Sequence, residues 1–184
     1  MRVLRIISAT QRADRFIMKT LKNALDTVLS AVCIILFVFM TIIGTYQIVV
    51  RYVFNSPSTV SEELLTFSFT WMALLSAALV FGKRDHMRMG YFADKLSPTG
   101  SIILGIISEL LVLLFAALIL IYGGISISKL TMTQVTASLG VSMGIIYLVV
   151  PLSGILTAFY SLINIWILCQ RLSNRTVDGE EEKG

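Results

Sequence analysis

A chain of 184 residues that is 56% hydrophobic and only 14% charged cannot give each of its helices the polar face that a soluble domain needs. It belongs in a bilayer. Its net charge of +4 falls in particular segments and so reads as a topology signal, with no reason to infer nucleic-acid binding.

A span needs roughly 20 consecutive apolar residues. Four stretches qualify: Thr27–Val50, Leu64–Gly82, Ile102–Ser128 and Val141–Cys169. The predicted fold is an all-α integral membrane protein with four transmembrane helices as two antiparallel hairpins, preceded by an N-terminal amphipathic interfacial helix. Its parts are a basic amphipathic segment over 1–26, a four-helix membrane domain over 27–169 and a charged, disordered tail over 170–184. Spans within the domain are expected at about 27–50, 60–82, 99–128 and 139–169. No soluble domain large enough to fold alone is left.

In the N-terminal segment, apolar residues such as Val3, Leu4, Phe16 and Leu21 alternate with Arg2, Arg5, Arg12, Arg15, Lys19 and Lys22. That pattern suits an amphipathic helix lying on anionic headgroups, either bracing a partner protein or serving as a charged leader that sets topology. No cleaved signal peptide is expected.

The first span carries no charge, and Thr41, Gly44, Thr45, Tyr46 and Gln47 cluster towards its far end. Small and polar residues in lipid mark a packed face. Arg51 closes the span four residues beyond Gln47, on the same helical face. Asn55-Ser56-Pro57-Ser58 is turn chemistry, because Pro57 fixes its own φ and biases Ser56 towards extended geometry. Thr59-Val60-Ser61-Glu62 reads as a capping box, and Glu63 adds negative charge at the same positive helix end. The plain reading is a capped corner of a helical hairpin with Arg51 paired to a glutamate across it.

The second span, with Ser68, Thr70, Trp71, Ser76, Ala77 and Ala78, is expected to pack on the first. Trp71 reads as packing. The loop Lys83 to Gly100 holds the single histidine, His86, among Lys83, Arg84, Asp85 and Arg88, and a solvated role fits it. Met87, Met89, Tyr91, Phe92 and Leu96 in that loop suit an interfacial anchor. Ser97-Pro98 then gives an N-cap and a first-turn proline.

Glu109 is the one acidic residue well inside a span. A charge in hydrocarbon costs about 3 kcal/mol or more, so the residue is a functional candidate by default. It is the coupling carboxylate required by one alternative, an autonomous four-helix small-molecule exporter. It lies roughly 10 Å from the inner end at the helical rise, however, and no second ionisable residue completes a pathway. A structural contact to a neighbouring helix or a partner is preferred.

Gly123-Gly124 allow close approach near the end of the third span. Pro151 in the fourth removes a backbone hydrogen bond and frees the carbonyl of Tyr147, so a kink is expected there. Cys33 and Cys169 are not placed to pair, no metal cluster is implied, and no nucleophile–base pair supports an enzyme. Basic residues gather in the N-terminal segment, the second loop and the tail. Both termini are therefore expected in the cytoplasm, and the Gln47–Glu63 corner in the periplasm.

The order Gln47, Arg51-Tyr52, Asn55-x-Pro57, Glu62-Glu63 resembles the signature of the small membrane subunit of TRAP transporters, the tripartite ATP-independent periplasmic family. Leu139-Gly140 and Tyr147-x-x-x-Pro151-x-x-Gly154 resemble the start of that family's last helix. His86 matches in part, with Gly90 where an aspartate is common, and Val60 stands where tryptophan is frequent. Ser142 and Gly144 also depart from the pattern. The resemblance implies a small, non-catalytic scaffold subunit in a bacterial inner membrane. It pairs with a large, multi-span, ion-coupled permease subunit and a periplasmic substrate-binding protein for uptake of organic acids. It further implies that this chain holds no cofactor, with the coupling ion, sodium, bound in the large subunit. The matching residues, with Glu109, are then expected to form the structural corner or the partner interface.

Overall fold

The structure, a computed structural model, describes residues 2–83 and 98–181. Helix α1 runs Arg2–Val53, α2 Thr59–Lys83 and α3 Pro98–Phe115. Helix α3 passes into a π-helical stretch, Ala116–Gly123, and then into α4, Gly124–Leu130; α5, Met143–Tyr147, and α6, Val149–Glu181, complete the chain. Four helical stretches are long and apolar enough to cross a membrane: Thr20–Val53, Thr59–Lys83, Gly100–Leu130 and Met143–Gln170. Each overlaps one of the spans read from the sequence.

Two boundaries differ from expectation. The N-terminal segment is not set off as a separate helix, since α1 is unbroken across residue 26. Asn23, Ala24, Leu25 and Asp26 include no glycine or proline, and a nucleated helix gains one bond for each residue added. The tail is helical as far as Glu181 rather than irregular from residue 170, because no breaker follows the fourth span until Gly179.

Helix α6 is the hub, with α2 on one side and α3 and the π-helical stretch on another, while α1 packs on α2. Of the apolar window in the fourth span, 44% is buried, against 6% in the first, so α1 sits at the edge of the bundle. Leu29, Leu75, Val149 and Tyr160 form the core, with Leu36, Trp71 and Leu156 among the side chains packed around it. In lipid little hydrophobic force joins helices, so close contact and polar pins must do more.

The pins are explicit. The Tyr160 hydroxyl donates to Asp26 Oδ1 at 2.6 Å and ties α6 to α1. Lys22 Nζ donates to Asn164 Oδ1 at 3.4 Å one turn away. Between α1 and α2, Ser76 Oγ lies 3.4 Å from Cys33 Sγ. The Tyr160 ring, fully buried, is seated on Gly82, where an added Cβ would lie 2.7 Å from the ring carbons.

The fourth span is interrupted at Leu148, three residues before Pro151, and the Leu148 N–H turns tightly back to the Ile145 carbonyl at 3.2 Å. Trp71 Nε1 donates to the Ile146 carbonyl at 3.1 Å, so Trp71 braces the interruption as well as packing. Pro151 is buried where the third span has Gly124, and Gly154 faces Leu120 and Ile121 of the π-helical stretch.

Gly82→Ala should press on the buried ring and cost about 1–3 kcal/mol. Gly123→Ala, whose Cβ would meet nothing nearer than 3.8 Å, should be neutral or slightly stabilising. Thermal melting of the two purified variants checks this, and equal midpoints would contradict the packing.

Candidate functional site at the 47–63 corner

Helix α1 ends at Val53, and the turn is made by Asn55, whose φ of 48° is the left-handed conformation that asparagine tolerates. The Ser56 N–H returns to the Val50 carbonyl at 3.3 Å. The N-cap of α2 is Ser58, one residue earlier than the expected Thr59. Its Oγ lies 3.4 Å from the Ser61 N–H and accepts from the Ser61 hydroxyl at 2.7 Å. The buried Ser61, and not Glu62, thus occupies the third helical position. Neither glutamate is needed for capping.

Glu63 is free to reach elsewhere. Its Oε1 accepts from the Ser138 N–H and its Oε2 from the Leu139 N–H, each at 3.0 Å. Carboxylate–amide bonds of this kind are charge-assisted and stronger than neutral ones. The segment they hold is the irregular stretch 131–142, which closes on itself. Val135 and Ser142 form an antiparallel bridge, the Thr136 N–H donates to the Val141 carbonyl at 2.9 Å, and the Val141 N–H donates to Thr136 Oγ1 at 3.1 Å. Gly140 makes the turn at φ 66°, beside the two amides that Glu63 binds. The Met143 N–H, which opens α5, donates to the Gln134 carbonyl at 2.8 Å.

The structure therefore joins two motifs that lie 76 residues apart, Glu62-Glu63 and Leu139-Gly140. The remaining corner residues are placed differently. Arg51, Tyr52, Asn55, Pro57 and Glu62 are exposed, and among the described residues no ion pair joins Arg51 to a glutamate. The expected pair gives way because the amides take both oxygens of Glu63, and an exposed pair with Glu62 would gain little. Gln47 is half-buried, and its Oε1 is shut from solvent with no hydrogen-bond partner.

Tyr147 is half-buried at the end of α5. Glu109 is buried and engaged within the chain. His86 and the expected interfacial anchor lie outside the described residues. Among the described residues no three His, Cys, Asp or Glu side chains are grouped to hold a metal ion. Sequence reasoning missed the Glu63 clamp, the Trp71 brace and the Asp26–Tyr160 bond. An aspartate at the start of the uncharged first span and a tyrosine within the fourth were the signal for the last.

Glu63→Ala should leave two amides of the 131–142 stretch without their acceptor and cost about 1–3 kcal/mol. Hydrogen exchange at Ser138 and Leu139 should accelerate in that variant and stay unchanged in Glu62→Ala. Unaltered protection in Glu63→Ala would contradict the assignment.

Comparison with known proteins gives the family. Residues 40–171 match the family described as tripartite ATP-independent periplasmic transporters, DctQ component. A Haemophilus influenzae protein named as a TRAP transporter small permease is 30% identical over 141 residues, 77% of this chain and 87% of the relative. The sialic acid TRAP transporter small permease protein SiaQ of Vibrio cholerae is 25% identical over 155 residues, 84% of this chain and 89% of the relative. The match begins just before the polar cluster of the first span, takes in Glu63 and the loop it clamps, and ends with the fourth span: this chain belongs to the DctQ family of TRAP transporter small permease subunits.

Proposed function

We propose that the chain is the non-catalytic scaffold subunit of a TRAP system, paired with a large ion-coupled permease subunit and serving uptake of organic acids delivered by a periplasmic substrate-binding protein. Family membership supports the partners. The observation that carries the scaffold role is the Glu63 clamp, which makes one rigid face from two distant segments. A face held this way suits a protein that must be docked upon. It is poorly suited to chemistry, since its one fixed carboxylate has both oxygens occupied.

In this reading the corner faces the periplasm, and both termini lie in the cytoplasm, where the basic segments are retained. The exposed Arg51, Tyr52 and Glu62 offer charge and an aromatic ring to the binding protein. The apolar side of α1, with Val28, Ile35, Ile42 and Val49 exposed seven residues apart, is the surface for lipid and the large subunit. The subunit enlarges and fixes the static part of the permease while the transport domain moves, and the coupling ion is bound in the large subunit. Glu109, buried within the chain, is a structural contact and needs no proton-carrying role.

Arg51→Glu should lower uptake by the reconstituted three-component system, because the residue is exposed at the docking face and has no internal partner to lose. Measured uptake and complex yield both equal to those of the unaltered chain would contradict the proposal.

A further inference from the structure

At the end of the bundle opposite the corner, a shallow, open groove lies between α1 and the last residue of α2, lined by Asp26, Thr27, Ser30, Ala31, Ile34 and Lys83. The α1 residues recur at helical spacing along one face, spanning about 12 Å from Asp26 to Ile34. Polarity changes along it. Asp26, Thr27, Ser30 and Lys83 are at the end where charges reappear beside the uncharged first span, and Ala31 and Ile34 follow towards the membrane interior. The exposed Val38 and Ile42 continue the apolar track further along α1.

The two charges in the groove are of opposite sign and have capacity to spare. Asp26 accepts the Tyr160 hydroxyl on Oδ1, which leaves Oδ2 for another donor. Lys83 is exposed at the end of α2 and has no hydrogen-bond or ion-pair partner among the described residues. An occupant that engages both carries an anionic and a cationic group in one headgroup, with an apolar chain below them.

We propose that this groove binds a zwitterionic glycerophospholipid bearing a primary ammonium. The phosphate pairs with Lys83, the ammonium donates to Asp26, and an acyl chain lies over Ala31 and Ile34. A primary ammonium is required because a quaternary one has no N–H to donate to Asp26. A purely anionic headgroup would place its charge beside the Asp26 carboxylate without compensation. The site needs only that the chain sits in a bilayer, so it stands apart from the transport role.

Native mass spectrometry of the purified full chain, titrated with equal amounts of dioleoyl phosphatidylethanolamine, phosphatidylcholine and phosphatidylglycerol, tests it. The expected result is one phosphatidylethanolamine retained in preference to the other two. Lys83→Glu should reduce that retention on the order of tenfold, as the loss of a charge-assisted contact implies. Ala31→Trp, on an exposed face of α1, should fill the groove and reduce retention likewise without touching Asp26 or Tyr160. Equal retention of the three lipids, or phosphatidylethanolamine retention that survives both substitutions, would overturn the proposal.

Discussion

Backbone that leaves the helix at the end of a membrane bundle must still satisfy its N–H groups, and here that constraint falls on one carboxylate. Glu63 accepts both amides at the tip of the 131–142 stretch. Fixing that stretch fixes where α5 starts, through the Met143–Gln134 bond. It thereby helps to set the path of the fourth span, the hub of the bundle. Further along, the span is interrupted at Leu148, ahead of Pro151, and Trp71 braces that interruption. The corner and the hub are one mechanical unit.

At the opposite end, helix–helix contact rests on a tyrosine. Tyr160 bonds to Asp26 of α1 and lays its ring on Gly82 of α2, so three helices meet at one side chain. Hydrogen bonds are individually modest, but in a low-dielectric interior an unmade one is costly. Between the two ends the buried core is small, and much of α1 is uncovered. A hub helix with a peripheral, apolar first helix fits the proposed pairing with a lateral partner.

The parts legible in the sequence were those set by local chemistry. Uncharged apolar runs gave the spans, and Asn55 and Pro57 gave the turn. The cap was misplaced by one residue because Ser58 and Thr59 are both good N-caps, and only the observed Ser58–Ser61 bonds distinguish them. The role of Glu63 was hidden for a different reason. Its partners are backbone amides 75 and 76 residues away, which no residue type advertises. Pairing Arg51 with a glutamate was a local guess that lost to this long-range competitor. The π-helical stretch left no trace either, since Ala116–Gly123 is as apolar as the helix around it. Its relation to Gly154 exists only once α6 is in place. Helical continuity across residues 26 and 170 was obscured by composition, which marks the end of a span but not the end of a helix.

The most direct test of a scaffold that works beside a larger partner is to recover the tagged full chain gently from its native membrane and identify by mass spectrometry what accompanies it. A much larger multi-span permease in stoichiometric amount is the predicted result. Recovery of the chain alone, or only with copies of itself, would contradict the account and return attention to Glu109 as the carboxylate of an autonomous transporter.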